Sequence, residues 1–201
     1  MGPSSLAALS AGAWEEVDDL AQHIAPLRGI NVNGQRTIPM ARLRAMAKAL
    51  GYARVETYIQ TGNLLLESPS ALHEVRRSLE VSLRATFGWE VAVAVRSPGD
   101  IGRVLAGCPY QPGEGDVVYV GFAATMPEPG RVAEAMGRVP GWGDSCTVGP
   151  EHVYILYRNG VHRSPLSHAF FERWLGFPMT SRNLGTVPKL HELASRRAAT
   201  G

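Results

Sequence analysis

The chain has 201 residues, 45% of them hydrophobic and 19% charged, with a net charge of +2. That length allows one large domain or two small packed ones, with enough buried surface for a real core. The near-neutral charge disfavours a nucleic-acid partner, no stretch nears the roughly 20 apolar residues of a membrane span, and Cys108 and Cys146 fit no metal-knuckle spacing. The resulting expectation is a cytoplasmic protein without a bound metal or cofactor.

Residues 1–20 read as an appended segment with loosely helical spacing of Leu6, Leu9, Trp14, Val17 and Leu20. "QHIAPLRG" reads as a short strand. Because Pro26 cannot donate to a ladder, the strand is expected at an edge or bulged there. "PMARLRAMAKALG" is an amphipathic helix, with Met40, Leu43, Met46, Ala47 and Leu50 on one face and Gly51 at its end. "ARVETYIQTGNLLLES" predicts two strands around a tight turn at Thr61-Gly62-Asn63. A long helix after Ser68-Pro69 and a strand over "WEVAVAVRS" complete a β-α-β-β-α-β order, the split or ferredoxin-like pattern.

A second run follows with a similar order. "SPGDIGRVLAGCP" predicts a short helix and "PYQPGEGD" a linker. "DVVYVGFAA" is a strand, "EPGRVAEAMGRVPG" a helix, and "SCTVGPEHVYILYRNG" two strands turning at Gly149-Pro150. "SPLSHAFFERWLG" and "TVPKLHELASRR" are helices. The expected fold is therefore α+β: two tandem ferredoxin-like subdomains, residues 21–112 and 113–201, plus an N-terminal helix over 1–20. Hairpins interrupt the βα alternation that a parallel doubly wound sheet requires.

Three polar runs carry the candidate chemistry. In "PLRGINVNGQRTIPM", Arg28 and Arg36 flank a Gly- and Asn-rich loop that leads to a helix. Glycine and asparagine tolerate left-handed backbone, and arginine recognises carboxylates and phosphates with a planar fork of donors. A helix N-terminus beside such a loop favours an anion. The same residues also suit an ordinary turn, with Arg28 paired to an internal carboxylate. The run matches neither a Walker loop nor a dinucleotide fingerprint. In "YIQTGN", Gln60 and Asn63 donate and accept, and Tyr58 is a weak acid, although a hairpin alone also calls for Gly-Asn. In "MTSRNLGTVPKL", Thr180, Arg182 and Asn183 precede a helix that Thr186 can cap.

These runs, in this order, resemble the DUF1697 family of uncharacterised proteins. The family pattern of Leu-Leu-Arg-Gly-Ile-Asn-Val-Gly-Gly, an apolar helix ending Leu-Gly, and Thr-Tyr-Ile-Gln-Ser-Gly-Asn stands here as "PLRGINVNG", "MARLRAMAKALG" and "TYIQTGN". The C-terminal pattern stands as "TSRNLGTV", with Leu184 and Gly185 where the family has tryptophan and asparagine. The resemblance implies two intertwined ferredoxin-like subdomains and supplies positions for a site, but no activity.

The leading expectation is a pocket for a small anionic or carbonyl-bearing ligand, gathered from Arg28, Asn31, Asn63, Arg182 and Asn183, with Arg36, Gln60 and Thr180 contributing. A second is a small-molecule tailoring enzyme, with Tyr58, His162 or His168 moving protons and the arginines stabilising an oxyanion. A third is a nucleic-acid or protein-interaction module, which rests on fold analogy.

Overall fold

The computed structural model describes residues 20–32, 34, 36–123, 128–138, 143–158, 160–176 and 178–198, so the expected N-terminal helix lies outside the described residues. The fold is α+β and contains two antiparallel sheets. In the first, β1 (Ala21–Pro26), β2 (Ala53–Tyr58) and β3 (Asn63–Ser68) lie in the order β1-β3-β2. In the second, β4 (Val117–Ala123), β5 (Ser145–Val148), β6 (His152–Tyr157) and β7 (Met179–Asn183) lie in the order β5-β6-β4-β7.

Residues 89–97, expected as a strand, run along the outer edge of β1 over 91–96 but form only two isolated bridges, Ile24 with Arg96 and Leu27 with Val93. Backbone hydrogen bonds still stitch this edge: Ile24 and Arg96 exchange N–H groups at 2.8 and 2.9 Å, and the Arg28 N–H meets the Ala92 carbonyl at 2.9 Å. At Pro26 only the carbonyl is available to this edge, and it accepts the Ala94 N–H at 3.1 Å.

Side-chain alternation distributes these strands over three cores. Ala25, Leu64, Leu66, Val93 and Val95 face α1 (Met40–Ala49) and α2 (Leu72–Phe87). Ile24, Leu65 and Ala94 face the opposite way. They meet Val120, Phe122 and Tyr154 of the second sheet, with Ile101 and Val104 of α3 (Pro98–Ala106) and Leu190 and Ala194 of α6 (Val187–Ala198) between them. Val153, Ile155 and Tyr157 of β6 close the third core with Phe171 of α5 (His168–Leu175). A further helix, α4 (Pro129–Gly137), packs against α5. Because β3 and β6 are each buried along their whole length, "NLLLES" and "HVYILY" read as continuous runs, not as alternations.

Two buried arginines tie the sheets together in a reciprocal manner. Arg182 of β7 reaches into the first sheet, where its Nη2 lies 2.9 Å from the Leu27 carbonyl and 3.0 Å from the Gly62 carbonyl. Arg96, after the first sheet's last segment, reaches into the second, with Nη2 2.6 Å from the Ala123 carbonyl and 2.7 Å from the Glu151 carbonyl. Leu27 and Ala123 each sit at the end of a first strand, β1 or β4, and Gly62 and Glu151 each immediately precede a buried strand, β3 or β6. Each arginine also binds the carbonyl of the residue before it, Ser181 or Val95, at 2.8 Å. Element order alone suggested two related units in the sequence.

Candidate functional site

A cleft of about 600 Å³ opens where the β1–α1 loop, the β2–β3 turn and strand β7 converge. Arg28, Gly29, Ile30, Val32 and Arg36 of the loop line one side. Ile59 and Thr61 of the turn, Tyr119 of β4, Thr180 to Asn183 of β7, and Thr186 complete it. Three of these residues are arginines and none is acidic. The α1 N-terminus, expected to offer its free N–H groups, is not part of the lining. Pro39 occupies the N-cap position, without a side-chain capping bond, and the helix begins at Met40.

The three guanidiniums have different surroundings. Arg182 is 7% exposed and fully engaged. Its Nε donates to Asn63 Oδ1 at 2.5 Å, Nη1 to Thr180 Oγ1 at 2.9 Å, and Nη2 additionally to the Thr61 carbonyl at 3.2 Å. Burial pushes this guanidinium down to about 10, which still leaves it cationic at neutral pH. Among the described residues its partners are neutral oxygens, so its charge is solvated by their dipoles and not cancelled by a carboxylate. Arg28 pairs through Nη2 with Glu172 of α5, while its Nε is buried and has no hydrogen-bond partner among the described residues. Arg36 is exposed and has no ion-pair partner among the described residues. Its φ of 48° belongs to the left-handed region, which places it at a sharp bend of the loop.

The expected asparagines are near the cleft, but their side chains are engaged within the protein, with the backbone and, at Asn63, also with Arg182. Asn31 Nδ2 donates to the Ile38 carbonyl at 3.0 Å and the Gln60 carbonyl at 2.8 Å, and Oδ1 accepts the Ile38 N–H at 2.8 Å. It thereby joins the loop to the β2–β3 turn. Asn63 is fully buried, and its Nδ2 donates to the Tyr58 carbonyl at 3.1 Å. Thr180 is buried and donates to the Leu27 carbonyl at 3.1 Å. Asn183 lines the cleft, with Oδ1 accepting the Gly185 N–H at 2.7 Å. The Gln60 side chain is exposed and lies outside the lining.

Of the proton carriers considered, Tyr58 ends β2 and packs against the central core. His162 is exposed in a 3₁₀ turn, Val161–Arg163, and His168 is the first residue of α5. Neither Tyr58 nor His162 lines the cleft; the phenol that does is Tyr119. Nothing in the local sequence distinguished Tyr119 from its neighbours in an alternating strand. Val32 and Ile59 were also missed as lining residues, because a single aliphatic residue within a polar run carries no functional pattern. Cys146 is half-buried, and desolvation pushes its thiol up to about 12, far from a nucleophile's range.

A second cleft, about 480 Å³, lies beside Arg96 between α3 and the β5–β6 turn. Its lining mixes Arg96 and Arg103 with Asp100 and Glu151. His152 there is 6% exposed, and burial together with Arg96 pushes its imidazole down to about 4. Among the described residues, no group of three or more His, Cys, Asp or Glu side chains is placed to hold a metal, and no helix is long and apolar enough to cross a membrane.

The family described as "Protein of unknown function (DUF1697)" matches residues 20–154. Among solved structures, the conserved bacterial protein SP0830 from Streptococcus pneumoniae is similar, with a TM-score of 0.68 at 19% identity, covering 88% of this chain and 99% of that one. At that identity the likeness establishes the fold alone. No curated protein matches the chain.

Proposed function

The chain belongs to the DUF1697 family, and we propose that it binds a small anionic ligand in the cleft between the β1–α1 loop and β7. The observation that carries this reading is the charge of the lining: Arg28, Arg36 and Arg182, with no acidic side chain among the described lining residues. Low-dielectric walls and one sign of charge concentrate counter-ions in a cleft. The arginines have separate tasks. Arg182 holds the cleft's floor, Arg28 is anchored by Glu172 yet keeps a buried Nε unused, and Arg36 is free to bind the ligand bidentately. Support for a tailoring enzyme reduces to the Tyr119 phenol, and no acceptor for its proton is defined in the lining.

The same reading takes residues 21–112 and 113–201 as two ferredoxin-like units. The strand orders and the reciprocal arginines support this division. The cleft then belongs to both units, formed by loops of the first and the last strand of the second.

Thermal unfolding with inorganic phosphate, sulfate, benzoate and hexanoate tests the proposal, run on the wild type and on Arg36→Gln. A ligand at a hundred times its Kd stabilises the folded state by about 2.7 kcal/mol. At least one anion is expected to stabilise the wild type, with the effect lost in Arg36→Gln. No stabilisation by any anion, or an equal effect in both proteins, would overturn the reading.

A further inference from the structure

Resting on the anionic reading of this cleft, we propose that its ligand is an amphipathic carboxylate. The head would meet Arg36 and Arg28, and the aliphatic or aryl body would lie on Val32 and Ile59. Among the described residues, five large hydrophobic side chains are exposed, and two of them, Val32 at 49% and Ile59 at 45%, line this one cleft. Ile30 and Tyr119 continue the apolar wall inward. An inorganic anion would gain nothing from these surfaces, whereas an apolar body would remove them from water.

Ile59 adds a second, independent indication. Its φ is 52°, in the left-handed region, where a β-branched residue is a genuine outlier. Asparagine or glycine would relieve that strain. The chain instead holds an isoleucine there and directs it, half-exposed, into the cleft. Packing does not explain this choice, because so exposed a side chain contributes little to any core. A contact with an apolar ligand does explain it. Charge complementarity fixes the other end of the ligand, since among the described residues the lining contains three cations and no anion.

Isothermal titration with butanoate, hexanoate, octanoate and octanol, below their aggregation limits, tests the inference. Affinity for the carboxylates is expected to rise about fourfold per buried methylene, following the transfer free energy of one CH₂ group. Ile59→Asn is expected to melt no lower than the wild type, because asparagine tolerates the left-handed backbone, yet to flatten the dependence on chain length. Val32→Ser should flatten it further. Equal affinity for butanoate and octanoate, or phosphate binding without alkanoate binding, would overturn the amphipathic ligand and leave the anion site standing. Octanol binding as tightly as octanoate would overturn the anion site itself. Concentration-dependent dimerisation that Ile59→Asn abolishes would assign the apolar rim to a second copy of this chain, which also overturns the inference.

Discussion

Replacing Arg182 with methionine removes the guanidinium but keeps a side chain of similar length in the same space. Six hydrogen bonds disappear with it. Their loss is unequal. The Leu27 carbonyl keeps Thr180 Oγ1 at 3.1 Å, and the Gly62 carbonyl keeps the Leu27 N–H at 2.7 Å. Asn63 Oδ1 and Thr180 Oγ1, both on buried residues, lose their arginine without such a replacement, whereas the Thr61 carbonyl belongs to an exposed residue where water can take over. Each buried acceptor stripped of its donor costs about 1–3 kcal/mol, which sets a range of about 2–6 kcal/mol. Removing a buried cation that has no carboxylate partner among the described residues gives some of this back, so the expected loss is about 2–4 kcal/mol. Urea denaturation followed by tryptophan fluorescence measures it by linear extrapolation. Arg182→Lys should recover little, because one ammonium cannot reach an amide oxygen, a hydroxyl and four carbonyls spread over several segments. A loss below about 1 kcal/mol for Arg182→Met would show that the contacts between the sheets do not depend on this residue.

Two further changes probe the neighbourhood. His152 is neutral when folded, with its imidazole near 4 against 6.5 unfolded, so the unfolded chain binds more protons between these values. Stability should therefore fall as pH drops from 6.5 to 4, by up to about 3 kcal/mol from this group at roughly 1.4 kcal/mol per unit. Burial lowers His23 in the same direction, so His152→Phe should reduce the slope without removing it, and an unchanged slope in urea titrations across that range would refute the assignment. Gly62→Ala would place a Cβ 2.5 Å from Ile30 Cδ1 at a φ of +81°. A loss of about 1–3 kcal/mol is expected from the strained backbone, with weaker ligand binding because Ile30 lines the cleft; a variant as stable as the wild type would contradict this.

Much of the fold was legible because burial leaves a pattern in sequence. The two-sided burial of β3 and β6 wrote continuous apolar runs, and Gly149-Pro150 marked a turn. "WEVAVAVRS" was harder. Val91, Val93 and Val95 do face one core, but periodicity reports which side chains are buried, not how regularly the backbone pairs. The site was legible only as three runs. Asn63 and Arg182 are 119 residues apart, and no local pattern records that they meet. Nor does an Asn-rich loop tell whether its amides face a ligand or the backbone, since both uses need the same donors and acceptors. Asn31 serves the backbone, and its own φ of 55° gives the turn geometry as the reason for an asparagine there.

The division of labour among the arginines determines which experiments can bear on binding. Arg182 joins β7 to the β2–β3 turn and to the end of β1, so the contact that unites the sheets also forms the floor of the cleft. Any substitution there changes folding and cleft shape together, and lost binding would carry no information about ligand contact. Arg28 is tied to Glu172, so its removal leaves a half-buried carboxylate beside the cleft and alters the local field. Arg36 alone of the three is exposed and lacks an ion-pair partner among the described residues. Substituting it should leave stability within about 0.5 kcal/mol, so any loss of anion binding in Arg36→Gln would come from the lost contact and not from a damaged fold. The same coupling has a thermodynamic consequence. A ligand bound across the loop and β7 touches elements of both sheets, so it should raise the unfolding free energy of the whole chain and not of one sheet alone.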